Sequence, residues 1–313
     1  MNNPNLSFYY NECERFESFL NHHHLHLESF HPYLEKAFFE MVLNGGKRFR
    51  PKLFLAVLCA LVGQKDYPNQ QTEYFKIALS IECLHTYSLI HDDLPCMDNA
   101  ALRRNHPTLH AKYDETTAVL IGDALNTYSF ELLSNSLLES RIIVELIKIL
   151  SANGGIKGMV LGQALDCYFE NTPLNLEQLT FLHEHKTAKL ISASLMMGLV
   201  ASGIKDEELF EWLQAFGLKT GLCFQVLDDI IDVTQDEEES GKTTHLDSAK
   251  NSFVNLLGLE KASGYAQALK TEVLDDLNLL NPTYPLLQEN LNALLNTLFK
   301  GKTRHEKNFT HQR

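Results

Sequence analysis

The chain has 313 residues, 44% of them hydrophobic and 21% charged, and carries a formal net charge of -13. That composition excludes a disordered chain, and the length suits one large helical domain. The acidic balance argues against a nucleic-acid partner, whose phosphates it repels, but a small anion needs only a few local cations.

The opening MNNPNLSFYYNECERF lacks a basic segment followed by an apolar core, so no signal peptide is expected. His22, His23, His24 and His26 have no defined ligand set nearby and read as a solvated segment. Helices are expected over 51–63, 71–93, 115–136, 139–152, 156–169, 176–202, 206–235, 253–280 and 284–299. These stretches are rich in Leu, Ala, Glu and Lys, with Gly and Pro mostly between them. The stretches around 77–90 and 216–233 are apolar on more than one face, as helices inside a bundle are. No apolar run reaches the roughly 18 residues of a membrane span. Nothing resembles an interdomain linker, so one all-α domain over 1–313 is expected, with a polar, mobile tail from about Lys300. The six cysteines are scattered without a C-x-x-C pair, which suits a reducing cytoplasm.

Two acidic clusters stand out. Asp92-Asp93-Leu94-Pro95-Cys96-Met97-Asp98 ends an apolar helix, where the proline stops the helix and its dipole is already negative. Carboxylates there are offset by a bound cation or by solvent. In Gln225-Val226-Leu227-Asp228-Asp229-Ile230-Ile231-Asp232, the i,i+3 and i,i+4 spacings put Gln225, Asp228 and Asp232 on one helix face. Hard oxygen ligands in this pattern suit Mg²⁺ shared with phosphates, and two such clusters can face each other across a bundle.

Cations accompany them. Lys47, Arg48 and Arg50 follow Gly45-Gly46 and precede a helix whose first N–H groups favour anions. Arg103-Arg104 follows the first cluster, Lys186-Thr187 lies in HEHKTAKL, and Lys242 follows the second cluster. Any one of these alone reads as a surface charge; the combination points to an anionic substrate.

The run GGKRFRP, ECLHTYSLIHDDLPCMD, LRR, IGDAL, GQALD, HKTAKL, FQVLDDIIDVT and LLGLEKA resembles the trans-isoprenyl diphosphate synthases, specifically the bacterial farnesyl diphosphate synthase type, over roughly residues 45 to 262. The resemblance implies an isoprenoid-synthase-like helical bundle around a central cavity, three Mg²⁺ ions and a homodimer. It implies that Asp92 and Asp98, supported by Asp93, bind Mg²⁺ and the allylic diphosphate, and that Asp228, Asp229 and Asp232 hold the third metal. Lys47, Arg50, His85 and Arg104 match isopentenyl diphosphate contacts. Arg103, Lys186, Thr187, Gln225 and Lys242 match allylic-site contacts. The expected reaction is sequential condensation of isopentenyl diphosphate with dimethylallyl and geranyl diphosphate through an allylic carbocation. Geranylgeranyl diphosphate synthesis is the alternative within the family. A terpene cyclase would need no isopentenyl site, and an inactive regulatory subunit would have lost its aspartates.

The family's L-R-R-G reads Leu102-Arg103-Arg104-Asn105 here, with fewer acidic residues before it, and the stretch from Lys242 to Lys250 is shorter, which leaves Lys250 unassigned. Tyr87 and Ser88 precede the first cluster by five and four positions. Tyr87 lies about 7.5 Å deeper along the helix, where the resemblance implies an aromatic floor that limits product length.

Overall fold

The computed structural model describes residues 4–303 except 24, 26, 29, 63, 65, 235–250, 281 and 283. The expected contact Lys242, the unassigned Lys250, the histidines His24 and His26, and the tail beyond 303 lie outside the described residues.

Two helices come first that the sequence reading passed over, α1 (Pro4–His22) and α2 (Tyr33–Leu43). Helix α1 is polar on most of its surface; its buried apolar residues are the stripe Tyr9, Cys13, Phe16 and Leu20, the spacing of one helical face, with Glu12 buried beside them. Then follow α3 (Phe49–Leu61) and α4 (Gln71–Asp92), close to their expected bounds. Both are apolar around most of their circumference, and both are core.

Past the first acidic cluster the chain makes a two-residue hairpin, β1 (Leu102–Arg103) against β2 (His106–Pro107). Its turn residues Arg104 and Asn105 have φ of 55° and 64°, the left-handed pair such a turn requires. Asparagine tolerates that conformation, which explains how Asn105 stands where the family carries glycine.

After α5 (Leu109–Lys112), α6 (Glu115–Ser134) is capped by the Asp114 side chain and packs along α4. Helices α7 (Ser140–Gly154), α8 (Met159–Tyr168) and α9 (Leu176–His183) follow. The stretch expected as one helix over 176–202 is interrupted by a π-helical turn, Glu184–Ala188, before α10 (Lys189–Ala201). Helix α10 is almost wholly buried and packs on α3, α7 and α11 (Glu207–Thr234). The expected helix 253–280 is divided at Gly258, whose φ of 81° ends α12 (Phe253–Leu257) before α13 (Leu259–Leu279) begins. Helix α14 (Pro285–Thr303) closes the bundle against α3. The all-helical expectation holds, and no described helix is long and apolar enough to cross a membrane.

Candidate active site

Helix α4 ends at Asp92 because Pro95 cannot continue it. The chain turns back under its own end: the Asp98 N–H bonds the Asp92 carbonyl at 2.9 Å, and the Ala100 N–H bonds the Asp93 carbonyl at 3.1 Å. The three aspartates are thereby gathered at one end of α4. Asp93 is buried, and its Oδ1 accepts the Arg103 guanidinium at 2.6 Å while Oδ2 has no hydrogen-bond partner among the described residues. Burial pushes the Asp93 carboxyl up to about 6 against the pull of Arg103. Burial opposes the charge on Arg103 too, but Asp93, Asp92 and Asp98 together outweigh it and raise the guanidinium further. Both groups are charged at neutral pH, and the hairpin that carries Arg103 is tied to the acidic cluster.

Asp92 is half-buried. Its Oδ1 accepts from the Gln163 amide at 2.5 Å, and its Oδ2 lies 3.9 Å from the Lys186 ammonium, which also contacts Asp166 at 2.5 Å. Burial raises Asp92. For Lys186, burial works the other way, but Asp92 and Asp166 outweigh it and hold the side chain as an ammonium.

Lys186 is on the π turn, which fits because Gly162 of α8 has no side chain. A methyl group there would lie 2.1 Å from the Lys186 backbone nitrogen. The wide turn gives neighbouring residues different faces. Lys186 meets the first acidic cluster, while the Thr187 hydroxyl donates at 2.8 Å to Gln225 Oε1 on α11. Gln225 is one turn from Asp228 and Asp229, so residues 186 and 187 join the two clusters. Gln225 Nε2 in turn donates to Asp229 Oδ1 at 2.8 Å, and Asp229 Oδ2 accepts the Phe253 N–H at 2.8 Å. Asp229 is buried and is pushed up to about 7 by burial, against those two hydrogen bonds. Asp228 and Asp232 are half-buried on the same helix.

The second half of the site is cationic. Arg48, left-handed with φ 50°, starts α3 and forms a buried ion pair with Glu82 at 2.9 Å. Two residues on, the Arg50 guanidinium donates at 3.0 Å to His85 Nε2, which leaves the His85 proton on Nδ1. Arg104 donates to the carbonyls of Met41 and Gly45 at 3.2 and 3.0 Å and lies 3.7 Å from Glu82. Gly46 makes room for it, since a methyl group there would lie 2.7 Å from the guanidinium carbon. Burial lowers Arg50 to about 10 and also lowers Arg104. Burial, then Arg50 and Arg104, keep His85 neutral. Guanidiniums packed this closely in a dry site favour a multiply charged anion. Lys47 is exposed at the edge of the same loop. The electrostatic reach of Asp228 onto Arg50 connects the cationic group to α11.

Sequence reasoning did not single out Gln163, Asp166 or Glu82. Glu82 carried a signal, being an acidic residue inside the apolar run of α4. Tyr87 is buried and packs edge-on against His91 with ring centroids 5.8 Å apart. The Ser88 hydroxyl bonds the His85 carbonyl at 2.8 Å.

The donor set fits a hard divalent cation: Asp92, Asp98, Asp228 and Asp232 are half-buried carboxylates. Among the described residues, no three Asp, Glu, His or Cys side chains converge into a metal site by themselves. Mg²⁺ is held in this way, by one or two carboxylates with water and substrate phosphate oxygens completing the octahedron.

The polyprenyl synthetase family profile matches residues 31–280. A farnesyl diphosphate synthase of Micrococcus luteus is 39% identical over 274 residues, covering 86% of this chain and 90% of that protein. The large subunit 1 of a heterodimeric chloroplast geranylgeranyl pyrophosphate synthase of Arabidopsis thaliana is 42% identical over 247 residues, and the match spans 75% of this chain but only 64% of that protein. Among solved structures, a Helicobacter pylori geranyltransferase complexed with magnesium and isoprenyl diphosphate superposes with a TM-score of 0.94 at 93% identity, covering 96% of this chain and 99% of that one.

Proposed function

The chain belongs to the polyprenyl synthetase family of prenyltransferases, and from that premise we propose that it is a farnesyl diphosphate synthase. The observation that carries this reading is the pairing of two opposed groups, one acidic and one cationic, around Lys186-Thr187 and Arg50-His85. One suits an allylic diphosphate with Mg²⁺, the other isopentenyl diphosphate. Both substrates are anions, and each has its own set of cations.

Asp92, Asp98, Asp228 and Asp232 would hold Mg²⁺, with Asp93 beside them fixing Arg103. The bound ions supply charge neutralisation for the departing diphosphate. Arg103 and Lys186 bind the same leaving group and hold it in place. Arg50, Arg104 and Lys47 bind and orient isopentenyl diphosphate so that its double bond faces the allylic carbon. As the C–O bond breaks, the allylic carbon becomes cationic. The Gln225 carbonyl and the Thr187 hydroxyl oxygen present their negative ends beside it. The double bond then attacks that carbon, and the released diphosphate takes up the proton lost from the new chain. His85 is neutral with Nε2 engaged by Arg50, so it orients that cation and takes no proton. The buried walls of α4, α10 and α11 exclude the water that would trap the cation.

The six free cysteines fit a reducing cytoplasm, and the exposed apolar residues Val119 and Leu120 of α6 offer a face for a homodimer. Geranylgeranyl diphosphate synthesis is the second reading, favoured by the Arabidopsis relative; buried Tyr87 favours the shorter product. The test is to incubate purified protein with Mg²⁺, dimethylallyl diphosphate and radiolabelled isopentenyl diphosphate, then separate the products. A fifteen-carbon product supports the proposal. A product of twenty carbons or more overturns the farnesyl reading, and no condensation overturns the synthase reading.

A further inference from the structure

The two acidic clusters share a pattern. In each adjacent pair of aspartates, the first is half-buried and the second is buried and held by protein groups. For the second cluster the hold is complete. Asp229 Oδ1 accepts from Gln225 Nε2 and Oδ2 from the Phe253 backbone N–H, both at 2.8 Å. Each oxygen of this buried carboxyl thus already serves a protein N–H, whereas Asp228 and Asp232 on the same helix are only half-buried. Resting on the function proposed above, we infer that Asp229 is a positioning residue of the second cluster and not a metal ligand.

Its position lets it fix two things at once. The first is the Gln225 amide. Asp229 accepts through both oxygens, so the Gln225 amide meets it with Nε2, which turns Oε1 toward Thr187 and makes the Thr187 hydroxyl the donor. The polarity of the chain Thr187–Gln225–Asp229 is therefore set from the aspartate end. The second is the return of the polypeptide onto α11. Phe253 is buried, with its ring 5.3 Å from His183 and 5.7 Å from Tyr265. Just before it, Asn251 donates to the carbonyls of Phe169 and Thr172 and accepts from the Leu174 N–H. Residues 251–253 are thus tied to the end of α8 by Asn251, to α9 by the Phe253 ring, and to the second acidic cluster by Asp229. Of these ties only the last touches a group in the reaction path.

The two oxygens have separable jobs. In Asp229→Asn, the new side chain keeps one acceptor, which serves Phe253, but sets an NH₂ against Gln225 Nε2. Relief comes when the Gln225 amide turns over, and its carbonyl then faces away from Thr187. Asp229→Ala removes both ties.

The experiment measures backbone hydrogen exchange at Phe253 in the full-length, metal-free protein. It also measures Mg²⁺ affinity by titration calorimetry in the presence of inorganic diphosphate, for wild type, Asp229→Ala, Asp229→Asn and Asp228→Ala. The expected result is Phe253 exchange about tenfold or more faster in Asp229→Ala, as loss of a buried hydrogen bond implies, and near wild type in Asp229→Asn. Mg²⁺ affinity should stay near wild type in both Asp229 variants and fall in Asp228→Ala, the ligand loss measured beside them. Turnover of Asp229→Asn should fall in kcat with little change in KM for either diphosphate. Unchanged Phe253 exchange in Asp229→Ala overturns the inference, and so does an Mg²⁺ affinity weakened in Asp229→Asn as far as in Asp228→Ala, which keeps the measurement decisive should the alanine variant fail to fold. Asp228→Ala tests the function itself: if it leaves Mg²⁺ affinity intact, the metal-site reading fails while the exchange arm still judges Asp229.

Discussion

Tyr87→Ala separates two roles for a buried aromatic residue, and the structure supplies a magnitude for each. Tyr87 is 8% exposed, sits one turn above Cys83 on the same face of α4, and meets His91 edge-on. If the ring is the floor of the substrate cavity, its loss lowers that floor by one helical turn, about 5 Å, to the small Cys83 side chain. The space opened then joins the cavity and is not sealed. The stability cost is that of withdrawn apolar area, about 2 kcal/mol, plus about 1 kcal/mol for the edge contact. If the ring is plain core, the same change leaves a closed void and costs about 3–5 kcal/mol, with the upper end expected for a void that cannot collapse. The assay runs wild type and variant at matched substrate ratios and resolves products by chain length, alongside urea unfolding of both proteins. The expected outcome is a shift from fifteen carbons chiefly to twenty, with modest loss of total turnover and destabilisation at or below about 3 kcal/mol. An unchanged product distribution with a loss near 5 kcal/mol would refute the floor.

Asp92→Ala and Asp228→Ala should each lower turnover by about a thousandfold, at the upper end for removal of one charge-stabilising group, with the helical circular dichroism retained; full activity in either folded variant removes it from the site. Glu82→Gln leaves Arg48 without its buried partner and loosens Arg104, so the KM for isopentenyl diphosphate should rise about tenfold while that for the allylic substrate stays put. Equal effects on both substrates would argue for general loosening. His183 is held at about 4 by burial and then by Lys186, below its ordinary value near 6.5. The unfolded chain therefore takes up that proton first as pH falls. Stability from this group is full above about 6.5 and is lost down to about 4, by about 3 kcal/mol. In His183→Phe, urea midpoints at pH 7 and pH 4.5 should lie closer together than in wild type; an equal gap in both proteins would refute it.

Much of this fold was legible because its helices are long and their apolar faces wide. Helix α4 was expected at 71–93 and runs from Gln71 to Asp92, ended by a proline that any reader of the sequence meets. Helix α1 escaped because its buried apolar residues form one narrow stripe, diluted by Asn, Glu and Ser. Gly258 was a visible stop signal inside the expected 253–280 helix, yet the apolar periodicity runs through it on both sides. The π turn had no such sign. An extra residue in one turn leaves composition and approximate period intact, and the close approach of Gly162 from α8, which leaves room for it, is a tertiary contact.

The site shows the same division. Residue types and spacing point to the carboxylates and cations, because charges on apolar helix ends demand partners. They do not say which way each carboxylate turns. Asp92 and Asp93 are chemically identical neighbours, and so are Asp228 and Asp229, but adjacent residues on a helix lie about 100° apart. One of each pair consequently faces the open side and the other faces protein, where Arg103 waits for Asp93 and the Phe253 N–H for Asp229. Those partners come from a hairpin and from a strand of chain well beyond the motif. The division of roles is written in tertiary contacts, so the motif marks where the chemistry is and the packing decides which of its aspartates takes part.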